Sequence, residues 1–321
     1  MKVKDLEIQG YCVLGPMAGV TSSSYRKFMK KFGVGLTFTE MISDCGIDYG
    51  NKRTFEYTNI SKEERPIALQ IFGSDIGKSC EAIKILEKTC EYDILDVNLG
   101  CPVHKVVKTG AGSAWLKDLD KLKNYMKAII ATSSKPVSAK IRLGWDANSI
   151  NVEECALMLE SIGVSLLSIH CRTKEQGYSG KANYETIRGL REKLNIPLIV
   201  SGDIFSLEDA IRAKEITHSD AIMIARGGIG HPFLIKQINT YFESNGTEIL
   251  ANPDLKTQIS YAKEYANMLI EEKGEHVAIR ELRSILPHFI SSFPGYKSYR
   301  LRISQQMKSL SDLENILSEL E

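Results

Sequence analysis

The sequence predicts a (β/α)8 TIM barrel followed by a small C-terminal helical domain. Three observations lead there. Eight short β-rich runs recur up to Ala225, each separated from the next by a segment with helical spacing. The runs are mostly continuous apolar stretches rather than alternating ones, as strands covered on both faces are. From about residue 250 the β-signal stops and only helical stripes remain. Strict strand–helix alternation implies a parallel sheet with crossover helices, and eight units in about 240 residues match the roughly 250 typical of the barrel. A doubly wound sheet usually opens with G-x-G-x-x-G; here the first run ends Gly15-Pro16-Met17-Ala18-Gly19, which departs from that fingerprint.

In order, the expected strands are Cys12–Met17, Gly35–Glu40, Ile67–Ile71, Ile94–Asn98, Val137–Ile141, Leu166–His170, Pro197–Ser201 and Ala221–Ala225. Between them Tyr25, Phe28, Met29 and Phe32 follow the spacing i, i+3, i+4, i+7, and Ile76, Cys80, Ile83 and Leu86 share one helical face. Ser206-Leu207-Glu208-Asp209 reads as a helix start with an acidic residue three positions after the cap. Asn252-Pro253-Asp254 breaks the chain before a stripe of Leu255, Ile259, Ala262, Ala266 and Leu269. Gly274 interrupts, and Leu310, Leu313, Leu317 and Leu320 form a last stripe. The expected division is a barrel over 1–245 and a helical domain over 250–321.

Composition limits the function classes. Apolar residues are 43% and charged residues 25% of 321, which excludes a disordered chain, a collagen-like repeat and a disulfide miniprotein. With 41 basic against 40 acidic residues, any nucleic-acid or membrane partner must be held by a local patch. Seven cysteines with no C-x-x-C predict reduced thiols in a cytoplasmic protein. Met1 to Gln9 carries no hydrophobic signal region, and no run approaches the roughly 18 apolar residues of a membrane helix. Neither a metal-ligand set nor an obligate protein partner is expected.

In such barrels the chemistry sits at the carboxyl ends of the strands. Those ends deliver Pro16, Met17 and Ala18; Glu40; Gln70; Asn98 and Cys101; Lys140 and Arg142; His170 and Arg172; Ser201, Gly202 and Asp203; and Ala225, Arg226, Gly227 and Gly228. Singly, each could be a cap, a turn or a surface charge. One such group at almost every strand end is hard to explain by turn chemistry. The loops after the last two strands form the frequent phosphate site of this fold, and an arginine there can grip phosphate through two parallel hydrogen bonds. Lys140 and Gln70 suit a flavin: a lysine stabilises the negative charge of the reduced ring, and an amide can donate to and accept from its polar edge. One phosphate site points to FMN rather than a dinucleotide. Cys101, flanked by Gly100 and Pro102, lies in a turn; a free thiol titrates near 8.5 and so can donate a proton at neutral pH.

In this order, these residues resemble the tRNA-dihydrouridine synthase family, its bacterial B-type branch most closely. The segments are Pro16-Met17-Ala18-Gly19-Val20-Thr21, Leu69-Gln70-Ile71-Phe72-Gly73-Ser74, Asp96-Val97-Asn98-Leu99-Gly100-Cys101-Pro102, Lys140-Ile141-Arg142-Leu143-Gly144-Trp145, Ile169-His170-Cys171-Arg172-Thr173, Ser201-Gly202-Asp203-Ile204 and Ala225-Arg226. The resemblance implies an FMN barrel with a helical RNA-binding domain. NADPH would reduce FMN, hydride would pass to C6 of a tRNA uracil, and Cys101 would protonate C5 from the other face. Asn98 would hold the uracil, with Arg172 and Lys105 steadying the flipped nucleotide. Cys171, Ser201, His104 and Ala225 depart from the residues common in the family at those places, as does Ser284-Ile285 after the matching Arg280 and Arg283.

The helical domain adds a local patch. Residues 254–321 hold nine basic and ten acidic residues, but within 280–308 Arg280, Arg283, Lys297, Arg300, Arg302 and Lys308 face only Glu281. His276, Arg280 and Arg283 share a helical face, and Tyr296 and Tyr299 are interleaved. Rival readings are an FMN barrel dehydrogenase acting on a free small molecule, and an RNA-binding barrel without catalysis.

Overall fold

The computed structural model describes residues 1–320. Strands β1 (Lys2–Val3) and β2 (Leu6–Glu7) form an antiparallel hairpin. They are followed by β3 (Cys12–Leu14), β4 (Leu36–Phe38), β5 (Ile42–Ser43), β6 (Ile67–Phe72), β7 (Ile94–Asn98), β8 (Val137–Arg142), β9 (Leu166–His170), β10 (Leu198–Ser201) and β11 (Ala221–Ile224). All eight expected runs form strands. They pair in parallel in the order β4, β3, β11, β10, β9, β8, β7, β6, and β4 also pairs with β6, closing the ring. The fold is therefore a (β/α)8 barrel with C-terminal helices.

Why the barrel holds is visible in the pleat. Successive side chains on a strand point to opposite faces. Val13, Leu36, Phe38, Ala68, Ile94, Leu166, Ile199 and Met223 fill the interior, joined by Val3 and Ile8 from the hairpin, which plugs the N-terminal end. The outward residues meet the helices in a second, larger core. The two-residue strands of the hairpin are too short to show a period, so the sequence did not reveal them. Nor did it reveal β5, where the chain leaves β4 at Thr39 and rejoins the end of β6 through Ile42 and Ser43.

The helices start where their caps lie. Ser22, Asp75, Asp118 and Ser206 each accept a backbone N–H from the first turn of Ser23–Lys30, Ile76–Thr89, Leu119–Thr132 and Leu207–Thr217. Alternation lapses between β9 and β10, where two 3-10 turns, Tyr184–Ile187 and Arg191–Lys193, replace a helix. The residues before them form a long excursion over the mouth of the barrel.

At the C-terminus, Asp254 caps Leu255–Lys273 by accepting the Thr257 N–H at 2.8 Å. The expected stripe is buried at Ile259, Ala262, Ala266 and Leu269. Tyr265 packs edge-on to Tyr25 and tilted on Phe28, with centroids 5.4 Å apart in each case. The helices Glu275–Ile285, Tyr296–Gln305 and Leu310–Ser318 complete this region. Its apolar side chains join those of the barrel in one continuous core. No helix among the described residues is long and apolar enough to cross a membrane.

Candidate active site

Because the eight strands run parallel, all their carboxyl ends open on one rim. The turn carrying Cys101 and the two glycine turns after β10 and β11 therefore share one mouth, as the proposed chemistry requires. A cleft of about 540 Å³ opens there. Pro16, Met17, Lys140, His170, Ser201, Gly202, Asp203, Ala225 and Arg226, nine of the expected residues, line it.

One end of the cleft is an anion cradle. The backbone N–H groups of Gly202, Asp203, Arg226 and Gly227 find no protein acceptor among the described residues. Gly227 could not carry a side chain, since a Cβ there would stand 1.9 Å from the Ile204 carbonyl oxygen. Gly202 has φ of +125°, and its Cβ would press on Ala182 and on His170. Arg226 lies 4.4 Å above the Tyr178 ring and 3.6 Å from the Asp203 carboxylate, with its guanidinium partly exposed. Free amides, glycine backbone and one guanidinium suit a phosphate monoester.

The middle of the cleft is electropositive. Burial, with Arg142 nearby, lowers Lys140 to about 8, while Asp96, Cys101 and Cys171 oppose the fall. His170 is held well below its ordinary value, first by burial and then by Lys140, Arg142, Arg172 and Arg226, so it is a neutral imidazole. Its Nε2 is buried without a hydrogen-bond partner among the described residues. A buried polar atom left open inside a cleft is where a ligand's polar edge fits. These features match the donors that an FMN phosphate and the polar edge of its ring need.

On the same rim lies the thiol. Cys101 is 9% exposed, and burial raises its pKa against the Val103 N–H, Arg142 and Lys140. It is a thiol, not a thiolate, at neutral pH. Its turn is clamped: the Cys101 N–H donates to Asn98 Oδ1 at 2.9 Å, and the Cys101 carbonyl accepts from Ser113 Oγ at 2.7 Å. Leu99 N–H donates to the Lys140 carbonyl at 2.8 Å, which fixes the turn against β8. Cys171 is fully buried and its thiol is pushed far up, so it is chemically quiet.

Several expected residues lie outside the cleft lining or are committed within the protein. Gln70 does not line the cleft: it is fully buried, donating to Asp96 at 2.6 Å and accepting from Asn98 at 2.8 Å. Ala18 is exposed outside the cleft, because the chain turns away after Met17. Arg172 is 1% exposed and braces the 172–182 excursion, donating to the Ser179 and Gly180 carbonyls and to Asp203. Only its Nη1 remains without a partner among the described residues. Arg283 is a brace too, with two nitrogens on the Met307 carbonyl at 2.8 and 2.6 Å. Arg302 pairs with Glu319, so with Arg283 also committed the basic patch is smaller than its linear window, while Glu281 is paired by Lys273 from outside that window. Lys105 and Arg280 remain exposed. Sequence reasoning missed Tyr178 and Phe205, the exposed aromatics beside Arg226, which carry no motif.

Fold and site together define a (β/α)8 barrel with an anion cradle, a cationic centre and a protonated thiol at one mouth. The profile described as Dihydrouridine synthase matches residues 13–320, and the chain belongs to that family. It is 32% identical over 99% of its length to "Probable tRNA-dihydrouridine synthase 1" of Synechocystis sp., covering 88% of that protein. It is 31% identical over its full length to "tRNA-dihydrouridine synthase B" of Pasteurella multocida, covering 95% of it. Among solved structures, an old yellow enzyme homologue from Zymomonas mobilis superposes with a TM-score of 0.51 at 12% identity, covering 78% of this chain and 92% of that one. Histamine dehydrogenase from Rhizobium sp. 4-9 gives 0.57 at 12% identity, over 84% and 50%. These two likenesses concern the fold alone.

Proposed function

We propose that this protein reduces specific uridines of tRNA to 5,6-dihydrouridine, with FMN as cofactor and NADPH as reductant, in the cytoplasm. The observation that carries the reading is the clamped, protonated Cys101 on the same rim as the anion cradle and Lys140. FMN, when bound and reduced, supplies the hydride for C6 of the uracil.

The chain's own residues do the rest. Gly202, Asp203, Arg226 and Gly227 hold the phosphate through N–H groups and the guanidinium. Lys140 places a positive charge beside the ring. Asn98 orients the uracil from the strand end that leads to Cys101. Cys101 gives its Sγ proton to C5 as the C5–C6 double bond is reduced, and the resulting thiolate regains a proton from solvent. Lys105 and Arg280 contact the RNA backbone, and a flipped base reaches the mouth.

The test is dihydrouridine mapping across total RNA from cells with and without the protein, joined to purified assays. We expect specific tRNA positions to lose dihydrouridine in its absence. Cys101→Ala should keep the yellow colour and NADPH oxidation yet lose about 10²–10⁴-fold in uridine reduction. Unaltered tRNA, or turnover of free uracil or dihydroorotate in its place, would remove this reading.

A further inference from the structure

Asp96 is fully buried in β7, two residues before Asn98 and five before Cys101. Its oxygens are divided: Oδ1 accepts from Ser138 Oγ and Oδ2 from Gln70 Nε2, both at 2.6 Å. Gln70 Oε1 then accepts from Asn98 Nδ2 at 2.8 Å. Asn98 Oδ1 in turn accepts the N–H of Gly100 at 3.2 Å and that of Cys101 at 2.9 Å. The chain has a direction. A carboxylate is an acceptor only, so Gln70 must present its NH2 to it. Gln70 is left with an oxygen for Asn98, which must present its own NH2, and so has an oxygen for the Cys101 turn. An acceptor-only carboxylate at one end and donor-only backbone N–H groups at the other thus agree on one sense for both amides, and the carboxylate anchors it.

The same carboxylate faces the cationic centre. In the parallel register Asp96 lies opposite Ser138, and Asn98 opposite Lys140. Asp96 therefore shares a face of the sheet with Lys140, two residues away in register, and their charges attract one another, while Arg142 opposes the Lys140 charge and Cys101 and Cys171 favour it.

We propose that Asp96 is a positioning residue with two effects: through Gln70 and Asn98 it fixes the hydrogen-bonding sense of the turn that carries Cys101, and by its charge it keeps Lys140 protonated. The importance of Cys101 and Lys140 rests on the function proposed above; the relay itself does not.

Three substitutions separate the two effects. Asp96→Asn keeps the direction, because its oxygen can face Gln70 while its NH2 faces Ser138, but removes the charge. Gln70→Leu keeps the charge but cuts the chain. Asp96→Leu removes both. The readouts are the rate of Cys101 alkylation by iodoacetamide, followed on its own peptide by mass spectrometry, and the pH midpoint of Lys140 acetylation, followed likewise. Neither needs substrate turnover. Gln70→Leu should change Cys101 alkylation about fivefold, what one neutral hydrogen bond carries, with the Lys140 midpoint moving less than in Asp96→Asn. Asp96→Asn should leave alkylation within about twofold, less than a hydrogen bond's worth, and lower the Lys140 midpoint. Asp96→Leu should do both; if it fails to fold, the other two variants decide. Unchanged alkylation in Gln70→Leu, or an unmoved Lys140 midpoint in Asp96→Asn, overturns the proposal. If the relay behaves as stated but the wild-type protein leaves tRNA unreduced, the proposed function fails and the relay stands.

Discussion

Replacing Lys140 with methionine should stabilise the flavin-free protein while damaging its chemistry. Methionine fills a similar volume without a charge. In the folded protein Lys140 titrates at about 8, against an ordinary 10.5, chiefly because burial removes its hydration. That difference corresponds to about 3 kcal/mol of unfavourable free energy for keeping the ammonium buried. The sign follows from the direction. Below pH 8 the group is charged in both folded and unfolded chains, and the whole penalty acts. Between about 8 and 10.5 the folded form is increasingly neutral while the unfolded form stays charged, so the penalty fades. That difference already contains the attraction of Asp96, whose own pKa burial raises to about 6, so the gain near pH 7 is about 3 kcal/mol.

With an unfolding entropy of roughly 2 cal/mol/K per residue over 321 residues, that gain is about 5 °C in Tm. The assay is thermal unfolding of flavin-stripped wild type and Lys140→Met at pH 7 and pH 9.5. The variant should melt higher at pH 7, and the gap should shrink at pH 9.5. It should also bind FMN less tightly. A variant that melts at or below wild type at pH 7, or a gap that widens with pH, would refute the view that Lys140 is a buried charge retained against stability.

Other expectations are briefer. Arg226→Ala should weaken FMN binding by about 10–100-fold, as loss of a charge-assisted pair does, measured by fluorescence titration of the stripped protein. Arg280→Ala should weaken tRNA binding and lower the slope of log affinity against log salt by about 1, without bleaching the flavin. Arg283→Ala should instead lower Tm, because the Met307 carbonyl loses two donors, and the same melting and salt-titration experiments tell the two arginines apart.

What the sequence disclosed, and what it withheld, divides along a physical line. The barrel was legible because a strand buried on both faces leaves a continuous apolar run, and the strand ends could be read off those runs. Cys101, Lys140, His170, Asp203 and Arg226 were singled out because the fold class says that strand ends carry chemistry, and the parallel barrel brings them to one rim. Nothing in that logic says which way a side chain is already committed. Arg226 and Arg172 look alike in the sequence, yet Arg172 is sequestered by the Ser179 and Gly180 carbonyls while Arg226 keeps a partly exposed guanidinium. Arg280 and Arg283 look alike too, yet Arg283 meets a carbonyl 24 positions away. Arg302 is neutralised by Glu319, which lies outside the window that made the segment appear basic. Charge counted along a chain overstates charge presented to a partner, since each long-range pair removes one cation from the surface. If the C-terminal helices meet RNA as proposed, their charge comes from cations that folding leaves without a carboxylate or carbonyl partner, as it leaves Arg280, whose guanidinium meets only His276 at 3.2 Å.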